Sequence, residues 1–120
     1  MICKPGDIVL VPFPFSTLNQ LKKRPALIIS QEITSLLRGF VIALSITSQL
    51  KSSPNHGEYM IQDWKESGLI KPSKVTPKVF TLETSLIEKK LRFNVLDTIW
   101  QESQENTLRF KKLLDALFYL

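Results

Sequence analysis

Apolar residues in the first two-thirds of the chain come in short runs bounded by turn-forming residues. Ile8–Phe13 is the first, introduced by Pro5-Gly6 and closed by Pro14; its β-branched and aromatic content predicts a strand. Ala26–Ile29 and Phe40–Ile46 are continuous apolar stretches, too short for helices and suited to buried strands. A fourth strand is expected over Glu58–Ile61, entered through the turn sequence Ser53-Pro54-Asn55-His56-Gly57. A fifth is expected over Val75–Leu82, where Pro77 has no N–H for a ladder and so predicts an edge or a bulge. The polar stretch Ser16–Lys23 reads as a loop, and Asp63–Gly68 as a short helix ending at glycine.

From Val95 onward the period changes. Val95, Leu96, Ile99 and Trp100, then Leu108, Leu113, Leu114, Leu117 and Phe118, recur at helical spacing. Asn94 is placed to cap this segment and Asp97 falls in its first turn, while Ser103-Gln104-Glu105-Asn106 is a candidate break. Several strands followed by a terminal helix predict an α+β fold, mainly β: a small barrel with a C-terminal helix. At 120 residues, with no repeat or linker, residues 1–120 are expected to form a single domain.

Composition narrows the chemistry. A net charge of +5 favours polyanionic partners, nucleic acid among them. Cys3 is the only cysteine, so no intramolecular disulfide can form, which suits a reducing cytoplasm, and a lone terminal thiol reads as inert. Gly6, Asp7, Pro12 and Pro14 interrupt the apolar start, so it does not read as a signal peptide. No run approaches the ~20 apolar residues of a membrane-spanning helix, so a soluble protein that does not enter the membrane is expected. His56 is the only histidine and reads as a solvated turn residue; two-histidine acid–base catalysis and multi-histidine metal sites are therefore excluded. Asp7, Asp63, Asp97 and Asp115 are scattered without paired spacing, and the four glycines form no phosphate-binding loop. Any activity must rest on Arg, Lys, Ser, Thr, Tyr and isolated carboxylates, with no metal and no cofactor.

Against that background several segments become recognisable. Pro5-Gly6-Asp7-Ile8-Val9-Leu10-Val11-Pro12-Phe13-Pro14-Phe15, a polar loop, then Lys23-Arg24-Pro25-Ala26-Leu27-Ile28-Ile29-Ser30 resemble the opening of a MazF/PemK-type toxin. Val41-Ile42-Ala43-Leu44-Ser45-Ile46-Thr47-Ser48-Gln49 is similar to the family's third-strand segment, and Trp64, Gly68-Leu69-Ile70-Lys71-Pro72-Ser73 and Phe80-Thr81-Leu82 to its middle section. The likeness runs from about Pro5 to Leu91. The sequence departs from it at Ser45, where relatives often carry proline, and at Thr17, where an acidic loop residue is common.

The resemblance implies an SH3-like barrel that dimerises with itself and cuts single-stranded RNA at short sequences without metal, in the cytoplasm, as the toxin of a toxin–antitoxin pair. It also implies an acidic antitoxin protein as partner. It carries the catalytic pair onto Arg24 and Thr47. Lys22 and Lys23, which could otherwise be a solvated loop pair, are expected to contact phosphate beside them, and Ser48 and Gln49 are the other candidate RNA-binding residues. A guanidinium can bridge two phosphate oxygens, which lysine cannot do, and its pKa above ~12 suits it to charge stabilisation rather than to acting as a base. The threonine hydroxyl would hold a phosphate oxygen or the 2′-hydroxyl. No base is visible in the sequence.

Lys71, Lys74, Lys78, Lys89, Lys90 and Arg92 are left open, as an RNA track or as solvated surface, and Trp64 and Trp100 read as core. Two other functions remain in view. One is a non-enzymatic CcdB-like toxin that binds a topoisomerase, although the ending Leu117-Phe118-Tyr119-Leu120 lacks that family's signature. The other is a catalytically dead nucleic-acid-binding barrel.

Overall fold

The computed structural model describes residues 2–13, 22–50, 58–92, 111, 112, 114 and 115. Six strands form one antiparallel sheet: β1 (Ile8–Phe13), β2 (Lys22–Ile28), β3 (Phe40–Thr47), β4 (Tyr59–Met60), β5 (Lys74–Glu83) and β6 (Lys89–Arg92), ordered β4-β5-β3-β2-β1-β6. The fold is mainly β, as the runs predict. Among the described residues the outer strands β4 and β6 do not pair, so the sheet is open.

The continuous apolar character of β3 has a direct cause. Its side chains alternate between two clusters, one on each face of the sheet. Leu44 and Ile46 join Ile8, Leu27, Tyr59 and Val75 in the first, while Val41 and Ala43 join Cys3, Val9, Val11, Ala26 and Ile28 in the second. A strand buried on both faces favours apolar residues at successive positions, and the one buried polar residue of β3, Ser45, is hydrogen-bonded to Thr76. Trp64 packs against the first cluster, in keeping with a core role.

The expected bulge at Pro77 is present. Leu44 pairs with Val79 and Ile46 with Val75, so Thr76, Pro77 and Lys78 together face Ser45 alone. The excess is two residues, so the alternation of faces survives across the interruption. The exposed Pro77 thus sits where no ladder bond is required of it.

Two expectations change, and a segment left open gains a place. Lys22 and Lys23 are strand residues, not loop: they pair with Phe13 and Pro12, because β1 runs on to Phe13 and offers its backbone that far. Asp63–Gly68 is a single hydrogen-bonded turn, with Ser67 N–H donating to Asp63 O and Leu69 N–H to Trp64 O, and it ends at Gly68 with φ +82°. The Lys-rich segment 89–92 forms the edge strand β6, where lysines blunt an open edge. A π-helical turn at Thr34–Arg38 and a 3-10 turn at Thr84–Leu86 carry no periodic signal in the sequence.

The helix expected over Val95–Phe118 falls mostly outside the described residues; Lys111, Lys112, Leu114 and Asp115 within it are helical, and Leu114 is fully buried in the first cluster. The loop assigned to 16–21, His56 and Trp100 also lie outside the described residues. Among the described residues no helix is long and apolar enough to cross a membrane.

Two register partners of opposite exposure test this packing. Leu44→Ala should destabilise by about 2–5 kcal/mol through the cavity it leaves, and Val79→Ala, nearly half exposed, by under about 1 kcal/mol. Urea unfolding curves of the two variants measure both.

Candidate functional site

The site begins where the sheet splits. Strands β2 and β3 pair through Ile28↔Ala43, Leu27↔Leu44 and Ala26↔Ser45, and the ladder stops there. Beyond that point β2 stays on β1 (Arg24↔Val11) while β3 stays on β5 (Thr47↔Lys74). Each strand keeps its backbone bonded on its outer side, so the two can part without orphaning both edges. Counting two residues on from Ala26↔Ser45 brings Arg24 across the gap from Thr47. Arg24 shares its face with Ala26 and Ile28, and Thr47 with Val41 and Ala43, so both belong to the same side of the sheet.

Polar side chains gather on this face. The Ser45 and Thr76 hydroxyls lie 2.6 Å apart, and the Thr76 hydroxyl is within 3.2 Å of the Ser45 carbonyl oxygen. They tie the bulge to β3. The Thr47 hydroxyl oxygen accepts the backbone N–H of Gln49 at 3.1 Å, which orients it and leaves its proton available to an incoming acceptor. Lys74 donates to Glu58, its ammonium nitrogen 3.2 Å from each carboxylate oxygen, with both side chains almost wholly buried.

Two clefts open from the split and share Arg24, Ile46, Thr47 and Gln49 as their common wall. The first, about 510 Å³, runs towards the bulge and is lined also by Ser45, Glu58, Lys74, Thr76, Pro77 and Lys78. The second, about 520 Å³, runs over the β1–β2 side, past Leu10, Pro25, Ser48, Leu69, Ser73 and Leu91. It carries Lys23, Lys71 and Lys89 with Arg24, and among the described residues none that lines it is acidic. The arrangement offers a guanidinium fork, an oriented hydroxyl and several neighbouring cations, which together suit a phosphodiester.

Of the residues singled out from sequence, Arg24, Thr47, Lys23, Ser48 and Gln49 all line the second cleft. Lys23 also meets Glu88 at 2.8 Å, an exposed pair that contributes little to stability. Lys22 is placed by its strand, and its side chain lies outside what is described. The open lysines separate: Lys71 and Lys89 line the second cleft, Lys74 and Lys78 the first, and Lys90 instead holds the buried Asp7 at 3.3 Å. The Arg92 side chain is not described. Sequence reasoning missed Glu58, Lys74, Ser45 and Thr76 as a group, because only the β3–β5 and β4–β5 pairings bring them together. Cys3 stays outside the site; burial pushes its thiol up from its ordinary value, against the opposing pull of Lys90, which keeps it protonated near neutrality.

A sequence model of the PemK-like, MazF-like toxins of type II toxin–antitoxin systems matches residues 4–105. The chain belongs to this family. No functionally curated protein matches it in sequence. Its structure is similar to that of MazF (Form-I) from Deinococcus radiodurans, at 20% identity and a TM-score of 0.66, over 100% of this chain and 99% of that one. It is similar also to the Mycobacterium tuberculosis toxin MazF-mt6, at 16% identity and a TM-score of 0.62, over 95% and 97% of the two chains. A mycobacterial endoribonuclease in complex with its cognate antitoxin matches at 13% identity and a TM-score of 0.62, over 98% and 96%. At these identities the structural likeness concerns the fold; the match to the toxin family rests on sequence.

The buried ion pair of this MazF-like chain can be weighed directly. Lys74→Met leaves the Glu58 carboxylate without its ammonium and should destabilise by about 3 kcal/mol, whereas Lys74→Met with Glu58→Leu should recover most of the loss. Thermal and urea unfolding of the single and double variants decides it.

Proposed function

We propose that this chain is the toxin of a type II toxin–antitoxin pair and acts as a metal-independent, sequence-specific endoribonuclease on single-stranded RNA. The observation that carries this reading is the placement of Arg24 and Thr47 across the β2–β3 split, on the wall common to both clefts. RNA would enter along the cationic second cleft, held by Lys22, Lys23, Ser48 and Gln49, with the scissile phosphate at the split. Arg24 bridges the non-bridging oxygens as negative charge grows on them, and the Thr47 hydroxyl donates to one of them. The substrate's own 2′-hydroxyl is the nucleophile, so the products are a 2′,3′-cyclic phosphate and a 5′-hydroxyl. Such chemistry needs neither metal nor cofactor. Cleaving messenger RNA in this way would stop translation and growth.

The same reading includes a single domain over residues 1–120, an SH3-like barrel arrangement of the strands, a C-terminal helix, a homodimer and a cytoplasmic location. It also includes an acidic antitoxin, whose carboxylates would occupy the cleft in place of phosphates.

Cleavage of a long single-stranded RNA in excess chelator tests the central claim: discrete fragments ending in a cyclic phosphate are expected, and loss of activity in chelator would replace the mechanism with a metal-dependent one. Arg24→Lys keeps the charge but loses the fork, and Thr47→Val loses only the hydroxyl; each should lower the rate by about 10²–10³-fold. The double variant should lose less than the product of the two, since both serve one transition state. Full activity in a folded Arg24→Ala protein would remove the assignment.

A second measurement addresses the cleft rather than the chemistry. Binding of single-stranded RNA should weaken as salt rises, with a log–log slope of roughly 0.7 for every phosphate contacted. A flat response between low and physiological salt would rule out the cationic track.

A further inference from the structure

Opening the 2′-hydroxyl to attack requires a proton acceptor, and most of the site cannot be one. Arg24, Lys74 and Lys78 are cations with no lone pair to offer, and the hydroxyls of Ser45, Thr47 and Thr76 are not bases near neutral pH. Among the described residues that line the two clefts, Glu58 is the only one with a carboxylate.

Its position follows from the pairing. Thr47 and Lys74 are register partners on the cleft face, where directly opposed side chains start about 5 Å apart. Lys74 in turn reaches both oxygens of Glu58 at 3.2 Å. Arg24, Thr47, Lys74 and Glu58 therefore succeed one another across β2, β3, β5 and the entry to β4. The 2′-hydroxyl sits on the carbon next to the one bearing the scissile phosphate's 3′-oxygen, so its base must stand beside the phosphate clamp. Glu58 does. A carboxylate has about four lone-pair sites, so pairing with Lys74 does not by itself exhaust its capacity as an acceptor, and with only 13% of its side-chain surface exposed the carboxylate is held in one place.

We propose that Glu58 is the general base of the cleavage reaction and that Lys74 is its positioning residue, an inference that rests on the endoribonuclease reading above. The carboxylate takes the 2′-hydroxyl proton as the 2′-oxygen bonds to phosphorus and the bond from phosphorus to the 5′-oxygen breaks. The leaving 5′-oxygen takes a proton from water, and the protonated Glu58 returns its proton to the hydroxide so formed. Among the described residues of this cleft, the other charged groups are Arg24 from β2 and Lys74 and Lys78 from β5, all positive.

The test is the pH dependence of single-turnover cleavage of one defined single-stranded RNA by wild type, Glu58→Gln, Glu58→Asp and His56→Gln, each first shown to be folded by circular dichroism. The wild-type rate should rise with pH below neutrality and then level off. Glu58→Gln should lose about 10²–10⁴-fold in rate together with that rising limb, while binding RNA at least as tightly, since a negative charge has left the cleft. Glu58→Asp should keep the limb at a lower plateau, and His56→Gln should behave as wild type. A purely structural role for Glu58 would lower the rate at every pH and keep the limb, which overturns the proposal. Loss of the limb in His56→Gln with its retention in Glu58→Gln overturns it as well. Absence of RNA cleavage by the wild type would overturn both this inference and the reading beneath it.

Discussion

Everything distinctive about this molecule depends on the end of one ladder. Strands β2 and β3 bond to each other for three residue pairs and then part at Ala26↔Ser45. They can part because each has a second neighbour: β2 remains on β1 to Phe13↔Lys22, and β3 remains on β5 to Thr47↔Lys74. A backbone left unpaired on both sides would carry buried or strained polar groups, and a free strand end would not hold a side chain in place. Here the parting strands stay fixed along their outer edges. The gap between them is a cleft bounded by two paired strands.

The bulge at Thr76-Pro77-Lys78 complements this. Three residues of β5 face the single residue Ser45, which bends β5 around the end of β3 and lets β4 pair with its first residues. The Ser45–Thr76 hydroxyl pair closes the interruption from the cleft side. A residue facing a bulge is under less demand from the ladder, and in this chain serine uses that freedom to hold Thr76.

Beneath the cleft the two clusters supply the stiffness. Ile46, between Ser45 and Thr47, is almost fully buried among Tyr59, Val75 and Leu44, so the strand that presents Thr47 is pinned from its opposite face. Ala26, two residues from Arg24, is likewise buried between Val9, Val11 and Ile28. Polar groups that act on a phosphodiester gain from such immobility, since their dipoles need not reorganise as charge develops.

The strands of the first two-thirds were legible in the sequence because burial on both faces leaves a nearly continuous apolar run, as in Phe40–Ile46 with Ser45 the one polar residue, and because Pro77 announces its own bulge through a missing N–H. Arg24 and Thr47 were legible as individual positions by their resemblance to a toxin family, and Trp64 as core by its type. What local pattern could not give was any relation that depends on which strands pair. Lys22 and Lys23 look like loop because their strand is stabilised by β1 and not by their own side chains. The lysines of β6 stay open between an RNA track and solvated surface for the same reason. Glu58 and Lys74, sixteen residues apart and unremarkable singly, become a buried ion pair only when β4 lies along β5. Sequence determined which segments must be buried, since hydrophobicity is a property of residues; tertiary structure alone decided which charges share a cleft, since long-range strand register leaves almost no trace in local pattern.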